Sequence, residues 1–265
     1  MNLIYSCVFF QQSYINLVRL LLKSYVLYGN PKNTKYLIIT CPEFKNIIQK
    51  ICNDFNIDND IWCLNLNTLF QASCCKLNIF DYKDVNKYSK ILYLDCDILV
   101  TNSLSNILDL EIDNKLYVLK EEYHRDFHCS EFSDEEYKLL NKDFTFSAGM
   151  FLFNNCDTIR EMFKTIKTHI KTHLDNNKPK PICLDQPFVI YQAINLNLFN
   201  NTRLINIVVN NPVKFKGETI SHFPGNPGHY DSKIHKMGYY LNYMKENFIV
   251  AKKGGCNELV GHIFS

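Results

Sequence analysis

Short, continuously apolar segments take turns with amphipathic helical segments through the first part of the chain. The apolar segments are Leu3–Phe10, Tyr36–Thr40 and Ile61–Leu64. Strands that are apolar at every position, without polar alternation, are typical of a parallel sheet buried on both faces. Between them, apolar residues recur at helical spacing after Ser13, which can cap a helix, and Pro42 can begin a second helix. The sequence therefore predicts an α/β fold with a central sheet flanked by helices.

The second half of the chain contains the same kinds of element in a less regular order. Further strands are predicted at Ile91–Leu94, Tyr117–Lys120, Met150–Phe153 and Thr219–Phe223. Helices are predicted at Asp157–His173, Asp185–Ala193 and Asp231–Asn247, and the polar stretch Glu121–Asp143 is expected to cover a site. The sequence shows no internal repeat and no long linker, which predicts one domain with a mixed second half.

Composition excludes several classes of protein. The net charge is +2, and no block rich in Lys and Arg with interleaved aromatic residues occurs, so no nucleic-acid partner is expected. No apolar run approaches the roughly 20 residues that span a bilayer, and Leu3–Phe10 lacks the basic leader of a signal peptide. Eleven cysteines, an odd number with irregular spacing, indicate reduced thiols and a cytoplasmic location, the host cytoplasm if the source is a virus.

The strongest local signal is a pair of carboxylates, Asp95 and Asp97, inside the apolar run Ile91–Val100. Burying an unpaired carboxylate costs several kcal/mol or forces its protonation, and a divalent cation shared by both acids removes that cost. Ligands of open α/β sheets gather at the carboxyl ends of the strands, where this pair lies. Mg²⁺ and Mn²⁺ prefer such oxygen ligands. The alternative is that both residues cap the turn that follows the strand.

Four blocks, taken in order, resemble the retaining glycosyltransferases of family 8, which include glycogenin-like and bacterial galactosyltransferase-like enzymes. The blocks are Lys90–Asp97, Phe146–Asn154, Leu184-Asp185-Gln186 and His222-Phe223-Pro224-Gly225. Each block is weak evidence alone, whereas the ordered set is specific. The resemblance implies a single GT-A domain over residues 1–265. Its Rossmann-like nucleotide-binding half would span residues 1–100, a donor-sugar and acceptor half residues 101–235, and a C-terminal helix and tail residues 236–265.

The resemblance also implies a cofactor and a set of site residues. Asp95, Asp97 and His222 would hold Mn²⁺ or Mg²⁺, and Asp185 and Gln186 would be catalytic. Contacts to a UDP-sugar would come from Val8, Gln11, Tyr14, Lys76, Asp95, Cys96, Asp97, Ser147, Ala148, Gln186, His222, Gly225 and Gly228. The implied reaction transfers glucose or galactose to a hydroxyl of a sugar, polysaccharide or protein acceptor, and relatives often form homodimers.

For three of these residues, the sequence is also compatible with a purely structural role. A lone His such as His222 more often lies satisfied in a core, Tyr14 could pack against the core instead of stacking on a base, and Asp185 could be a helix cap. For retention, Asp185 could be a nucleophile, or Asp185 and Gln186 could orient sugar and acceptor while the phosphate takes the acceptor proton. We favour the second route.

The sequence departs from the family at two positions. Ser147 stands where the family usually has Asn, and a hydroxyl can replace one amide hydrogen bond but not two. The family's phosphate-binding Lys is missing after Gly225, so His229, Lys233 or the backbone with the metal would hold the phosphates. These departures motivate an alternative function, a catalytically inactive nucleotide-sugar-binding protein. A nucleotidyltransferase ranks last, because Val8–Tyr14 lacks a phosphate loop rich in Gly, Arg and Lys.

Overall fold

The structure, a computed structural model, describes residues 1–30, 32–122, 124–140, 144–225 and 230–253, with the backbone alone at residues 126, 230, 231 and 248–253. The strands are β1 (Asn2–Val8), β2 (Thr34–Thr40), β3 (Asn59–Cys63), β4 (Lys90–Leu94), β5 (Ile98–Val100), β6 (Leu116–Lys120), β7 (Phe146–Asn154), β8 (Phe199–Asn200), β9 (Val208–Asn210) and β10 (Ile220–His222). The helices are α1 (Gln12–Ser24), α2 (Pro42–Asp54), α3 (Leu69–Cys74), α4 (Ser105–Leu108), α5 (Arg125–His128), α6 (Asp134–Leu139), α7 (Asp157–Asp175), α8 (Gln186–Asn195) and α9 (Tyr230–Lys253).

Two sheets form the framework of the described residues. A central sheet has seven strands in the order β3-β2-β1-β4-β7-β6-β8, and a small sheet has three in the order β5-β10-β9. Strands β1 to β4 are parallel, whereas β7 runs antiparallel to both β4 and β6. The predicted mixed α/β architecture is therefore confirmed. The carboxyl ends of β1, β2 and β4 meet at one edge, where the chain passes from the central sheet into the small one.

The alternation of side chains along each strand explains the continuous apolar runs. In β1, Ile4 belongs to a core shared with α1, α2 and α9, whereas Leu3 and Tyr5 belong to a second core shared with α7 and α8. In β4, Leu92 and Tyr93 divide in the same way. Successive side chains of a strand point to opposite faces, and helices cover both faces, so every position has to be apolar.

The first helix differs from the prediction at both ends. Gln11 occupies the N-cap position without a side-chain cap, and Ser13 lies inside α1, so the predicted Ser13 cap is wrong. The Ser13 hydroxyl instead donates to the Gln11 side chain at 3.4 Å. The α-helix ends at Ser24 and continues as one π-helical turn, Tyr25–Gly29, before Asn30 adopts a left-handed conformation. The sequence predicts a helix through Leu27 that Gly29-Asn30-Pro31 would stop, and Pro31 of that segment lies outside the described residues.

The polar stretch Glu121–Asp143 contains two short helices, α5 and α6, and its last three residues lie outside the described part of the chain. A capping box begins α6: the Ser133 hydroxyl accepts from the Glu136 backbone, and the Glu136 carboxylate accepts from the Ser133 backbone. At the other end of the chain, α9 packs against α1. Within the residues described, none of the helices combines the length and the apolar character that crossing a bilayer requires.

We expect Phe163→Ala to lower the free energy of unfolding by about 3–5 kcal/mol. Phe163, on α7, is buried against the rings of Phe80 and Phe153, whose centroids lie 5.3 Å away in both cases. Urea unfolding with an unchanged m-value measures the loss. The matched control is Leu139→Ala on α6, whose side chain is 88% exposed and should change stability by less than about 0.5 kcal/mol. Equal stability of the two variants would contradict the packing described here.

Candidate active site

A cleft of about 950 Å³ opens at the carboxyl edge of the central sheet. The predicted site residues that line it are Tyr14, Lys76, Asp95, Cys96, Asp97, Ser147, Ala148, Asp185, Gln186, His222 and Gly225. Val8 and Gln11 are not among its lining residues: Val8 is fully buried in the core, and Gln11 is exposed beside the cleft-lining Phe9. The predicted contact Gly228 lies outside the described residues. The fold thus gathers residues that are widely separated along the chain around one cavity.

The Asp95-Cys96-Asp97 tripeptide connects the two sheets. The backbone N–H of Asp95 donates to the carbonyl of Gly149 at 2.9 Å, and the carbonyl of Asp97 accepts from the N–H of Phe223 at 2.9 Å. The Cys96 thiol points inward and donates to the carbonyl of Cys7 at 3.2 Å. Backbone bonds to β7 and to the end of β10 therefore fix the backbone that carries both carboxylates.

Asp97 and His222 face each other inside the cleft. The Nε2 atom of His222 lies 3.5 Å from Asp97 Oδ1, and its Nδ1 atom donates to the side-chain oxygen of Asn210 at 2.7 Å. With Nδ1 carrying a proton, Nε2 presents a lone pair to Asp97 when the ring is neutral and donates to Asp97 when the ring is protonated. Asn210, at the end of β9, had no recognisable signal in the sequence. Only the parallel pairing of β9 with β10 places it opposite His222.

Gly149 makes this position of His222 possible. A Cβ atom built on Gly149 would lie 2.8 Å from His222 Nε2, closer than real Cβ contacts. The Gly149 backbone N–H donates to the Ser147 hydroxyl at 3.1 Å, so Ser147 is held at the same wall of the cleft. Gly149 was part of a predicted block, but its role as the space for an imidazole appears only in the tertiary structure.

Lys233 of α9 is the second partner of Asp97. Its ammonium lies 2.7 Å from Asp97 Oδ2, and the Lys233 side chain is largely buried. Burial would raise the pKa of Asp97, but the His222 ring and the Lys233 ammonium outweigh it and hold that pKa below its usual range. Among the described residues, no three His, Cys, Asp or Glu side chains stand together in a way that could hold a metal ion.

The donor atoms nevertheless fit a divalent cation. Asp97 Oδ1 is buried and accepts no hydrogen bond within the structure, and the His222 Nε2 lone pair lies opposite it. A buried carboxylate oxygen without a partner is costly, and a cation between these two atoms would satisfy both. Asp95, two residues earlier, is the third predicted ligand, and its side chain is 35% exposed toward the cleft.

Lys76 is the buried cation of the other half of the cleft. Its ammonium lies 2.9 Å from the carbonyl of Ala148, 3.1 Å from Asp185 Oδ2 and 3.9 Å from Asp95 Oδ1. Burial would lower the pKa of Lys76, but the charges of Asp185 and Asp95 outweigh it and raise the pKa above its usual range. Lys76 therefore stays charged, and it lies in the 3₁₀ turn that follows α3.

Both carboxylates beside Lys76 have a raised pKa. Burial raises the pKa of Asp185 and of Asp95, and the Lys76 ammonium offsets only part of that effect. The hydroxyl of Tyr93 donates a short hydrogen bond to Asp95 Oδ1. Burial, followed by the charge of Asp95, raises the pKa of Tyr93, so its hydroxyl keeps its proton. Tyr93 was missed as a site residue, although its place two residues before Asp95 on a strand puts both on one face.

Asp185 precedes α8 at its N-cap position, but its side chain does not cap the helix. It turns into the cleft, where its Oδ2 atom pairs with the Lys76 ammonium at 3.1 Å and has no other polar partner among the described residues. The preceding residue, Leu184, has a φ of +51°, an uncommon conformation for a branched side chain. Such conformations cost roughly 1–3 kcal/mol and cluster at functional sites. The cap expected as one role of Asp185 is therefore wrong, and the strained turn directs the carboxylate inward.

Several solved structures of glycosyltransferases have a fold similar to that of this chain. The structure of the galactosyltransferase LgtC in complex with donor and acceptor sugar analogues has a TM-score of 0.62 and 13% identity, over 91% of this chain and 96% of LgtC. The bifunctional glycosyltransferase WbbM has a TM-score of 0.62 and 15% identity, over 94% of this chain but 51% of WbbM. Mouse xyloside xylosyltransferase 1 has a TM-score of 0.58 and 10% identity, over 84% of this chain and 98% of that protein.

These likenesses show that the fold is the GT-A fold of glycosyltransferases. The family model of glycosyl transferase family 8 matches residues 32–193, more than half of the chain. The chain therefore belongs to glycosyltransferase family 8, which confirms the family predicted from the four ordered blocks. No curated protein sequence matches the chain.

We expect Lys76→Met to destabilise the protein by about 3–5 kcal/mol, because it leaves the buried carboxylate of Asp185 without its counter-charge. The double variant Lys76→Met/Asp185→Leu should recover part of that loss, since it removes that uncompensated carboxylate. Urea unfolding of both variants measures the difference. A double variant less stable than Lys76→Met by the full cost of a second independent mutation would show that the ion pair is not a buried unit.

Proposed function

We propose that this glycosyltransferase transfers a hexose, glucose or galactose, from a UDP-sugar to an acceptor hydroxyl with retention of configuration, in a reaction that depends on Mn²⁺ or Mg²⁺. The acceptor hydroxyl belongs to a sugar, a polysaccharide or a protein. One observation carries the proposal. The facing atoms of Asp97 and His222 could bind a cation, and they line the same cleft as Gln186 and the buried ion pair of Lys76 and Asp185.

Asp97 Oδ1, His222 Nε2 and the Asp95 carboxylate hold the cation in this proposal. When bound there, a divalent cation would supply the positive charge that neutralises the departing diphosphate. The protein's own part is to keep the ligands in place: Asn210 fixes the His222 ring, and Gly149 leaves room for it. This support by a second layer of residues is typical of metal ligands.

The donor nucleotide lies at the β1 end of the cleft in this proposal. Tyr14 lines the cavity and stacks on the base. Backbone groups of the segment from Val8 to Gln11 bond the uracil and ribose, because the Val8 side chain itself is buried in the core. The carbonyl of Val8 accepts from the Thr40 hydroxyl at 2.6 Å, which anchors this segment to β2.

The donor sugar lies against Lys76, Ser147, Ala148, Asp185 and Gln186. In a same-face reaction, Asp185 and Gln186 orient the sugar and the acceptor, and the departing phosphate takes the acceptor proton. The environment of Asp185 supports this route over a covalent one. A carboxylate held 3.1 Å from a buried ammonium is a poor nucleophile, since forming the glycosyl ester would consume its charge and leave the ammonium without a partner.

Lys233 holds the diphosphate in place of the family's lysine. Its ammonium reaches the cleft from α9, and its side chain passes close to Gly225, another residue that lines the cleft. A cation bound by Asp97 would compete with Lys233 for that carboxylate, and the Lys233 ammonium would then contact the phosphates. His229, the other candidate from the sequence, lies outside the described residues.

We expect Asp97→Ala, and likewise Asp95→Ala, to abolish Mn²⁺-dependent binding of UDP and the slow release of free sugar from UDP-glucose or UDP-galactose. Each variant removes a cation ligand, and calorimetry with and without Mn²⁺ together with a hydrolysis assay measures the result. Asp157→Ala, which removes an exposed carboxylate at the start of α7, is the matched control. Unchanged UDP affinity and turnover in the Asp95→Ala/Asp97→Ala double variant would refute the cation assignment.

We expect Lys233→Met to have opposite effects on two ligands. UDP should bind about 10- to 100-fold more weakly in the presence of Mn²⁺, because a charge-assisted bond of about 1.5–3 kcal/mol is lost. Mn²⁺ alone should bind more tightly, because its competitor for Asp97 is gone. Calorimetry measures both, with Lys236→Met, an exposed lysine of the same helix, as the control. Equal weakening of uridine and UDP would show that Lys233 does not contact the diphosphate.

The second candidate is a nucleotide-sugar-binding protein without catalysis. The ion pair between Lys233 and Asp97 favours it, because an internal ammonium already neutralises the acid that would bind the cation. Incubation with Mn²⁺ and a panel of UDP-sugars separates the two functions. Release of free sugar supports the transferase, whereas tight UDP-sugar binding without any release supports the inactive protein.

A further inference from the structure

His128 is a buried titratable residue with no role in the proposed reaction so far. Its side chain, on α5, is 1% exposed, and its Nε2 atom lies 3.2 Å from Glu121 Oε2. Its Nδ1 atom faces both backbone groups of His124, the N–H at 3.1 Å and the carbonyl oxygen at 2.8 Å. A neutral ring accepts from that N–H, and a protonated ring donates to that carbonyl. In both states, Nε2–H is free to donate to Glu121.

Glu121 is fixed although it follows the last residue of β6. Its backbone N–H donates to the carbonyl of Thr145 at 3.2 Å, and its carbonyl accepts from the Thr145 hydroxyl at 2.6 Å. Thr145 directly precedes β7, which carries Ser147 and Ala148 into the cleft. The Glu121 side chain, 22% exposed, lines the same cleft. Its carboxylate is therefore placed by the sheet and not by a free loop.

Gln186 joins these residues to the reaction site. Its Oε1 atom accepts from the Ala148 backbone N–H at 3.0 Å, and its Nε2 atom donates to Glu121 Oε2 at 3.4 Å. An amide has a donor end and an acceptor end. If the Gln186 amide were reversed, its oxygen would face the Glu121 carboxylate and its NH₂ group would face the Ala148 N–H, and both contacts would be repulsive.

Resting on the transferase function proposed above, we propose that Glu121, held in place by His128, is a positioning residue that fixes the orientation of the Gln186 amide for sugar transfer. The bond to Gln186 is long, so the carboxylate acts mainly through its charge. His128 keeps Oε2 at the correct place. The Glu121 charge also acts on Cys183, which lines the same wall of the cleft. Burial and then the carboxylates of Glu121 and Asp185 raise the pKa of Cys183 to about 11.

The test uses the full chain with Mn²⁺ and UDP-galactose or UDP-glucose, whichever the wild type hydrolyses, and needs no acceptor. We expect Glu121→Ala to lower kcat about 10- to 100-fold with a nearly unchanged KM, because the amide loses its fixed orientation while donor binding remains. Glu121→Gln keeps the shape of the side chain and one accepting oxygen but loses the charge, so its kcat should lie between those of the wild type and Glu121→Ala. Glu135→Ala, an exposed acid on α6, is the matched control.

A double-mutant cycle distinguishes positioning from an independent role. In a Gln186→Ala background, Glu121→Ala should reduce kcat by less than about 2-fold, because the residue through which it acts is gone. Two reductions that multiply fully would overturn the proposal, as would a Glu121→Ala variant with wild-type kcat. UDP affinity and the melting temperature report whether each variant is folded.

If Glu121→Ala does not fold, the variant His128→Asn tests the positioning role of Glu121 instead. It removes the Nε2–H donor and keeps the Glu121 charge, so kcat should fall about 2- to 5-fold, and this loss should disappear in the Gln186→Ala background. Unchanged kcat in His128→Asn would then overturn the proposal. A folded wild type that releases no sugar from either donor would instead reject the proposed function itself, and this inference with it.

Discussion

The buried ammonium of Lys76 is the interaction on which the rest of the active-site cleft depends. It touches the β7 wall through the carbonyl of Ala148, the start of α8 through Asp185 and the end of β4 through Asp95. Burial and repulsion from a neighbouring carboxylate raise the pKa of both Asp185 and Asp95, and the ammonium between them offsets part of that effect. Because the three partners come from three elements, the contacts of Lys76 also fix the positions of those elements relative to one another.

On the other side of the cleft, Asp97 forms a second group of charged and polar residues with Lys233 and His222. There the internal cation is Lys233, and the geometry of His222 and Asn210 leaves one carboxylate oxygen without a partner. The two centres differ in a way that matters for function. The Lys76 ammonium lies between one carbonyl and two carboxylates, whereas the Lys233 ammonium pairs with Asp97, whose other oxygen has no hydrogen-bond partner among the described residues, so a divalent cation would compete with Lys233 for that carboxylate.

Much of the fold and part of the site could be predicted from the sequence. The strands β1, β2, β3, β4 and β7 and the helices α2, α7 and α9 were expected near their observed positions, because period and end signals are local properties. The small strands β5, β8 and β9 were missed, since two or three residues carry no measurable period. The Ser13 cap was wrong because the turn of the preceding segment, not the best capping residue, decides where α1 begins.

The sequence by itself determined the family, the α/β architecture and the residue types of the site, because motifs and apolar runs are read along one chain. Only the tertiary structure decided which partners those residues have. The contacts that build the site join residues between 12 and 136 positions apart. They are those of Asn210 and of Gly149 with His222, of Lys233 with Asp97, and of Glu121 with Gln186. Such contacts depend on strand order and on helix packing. A carboxylate's partner, and therefore its charge, is set by that three-dimensional arrangement and not by its neighbours in sequence.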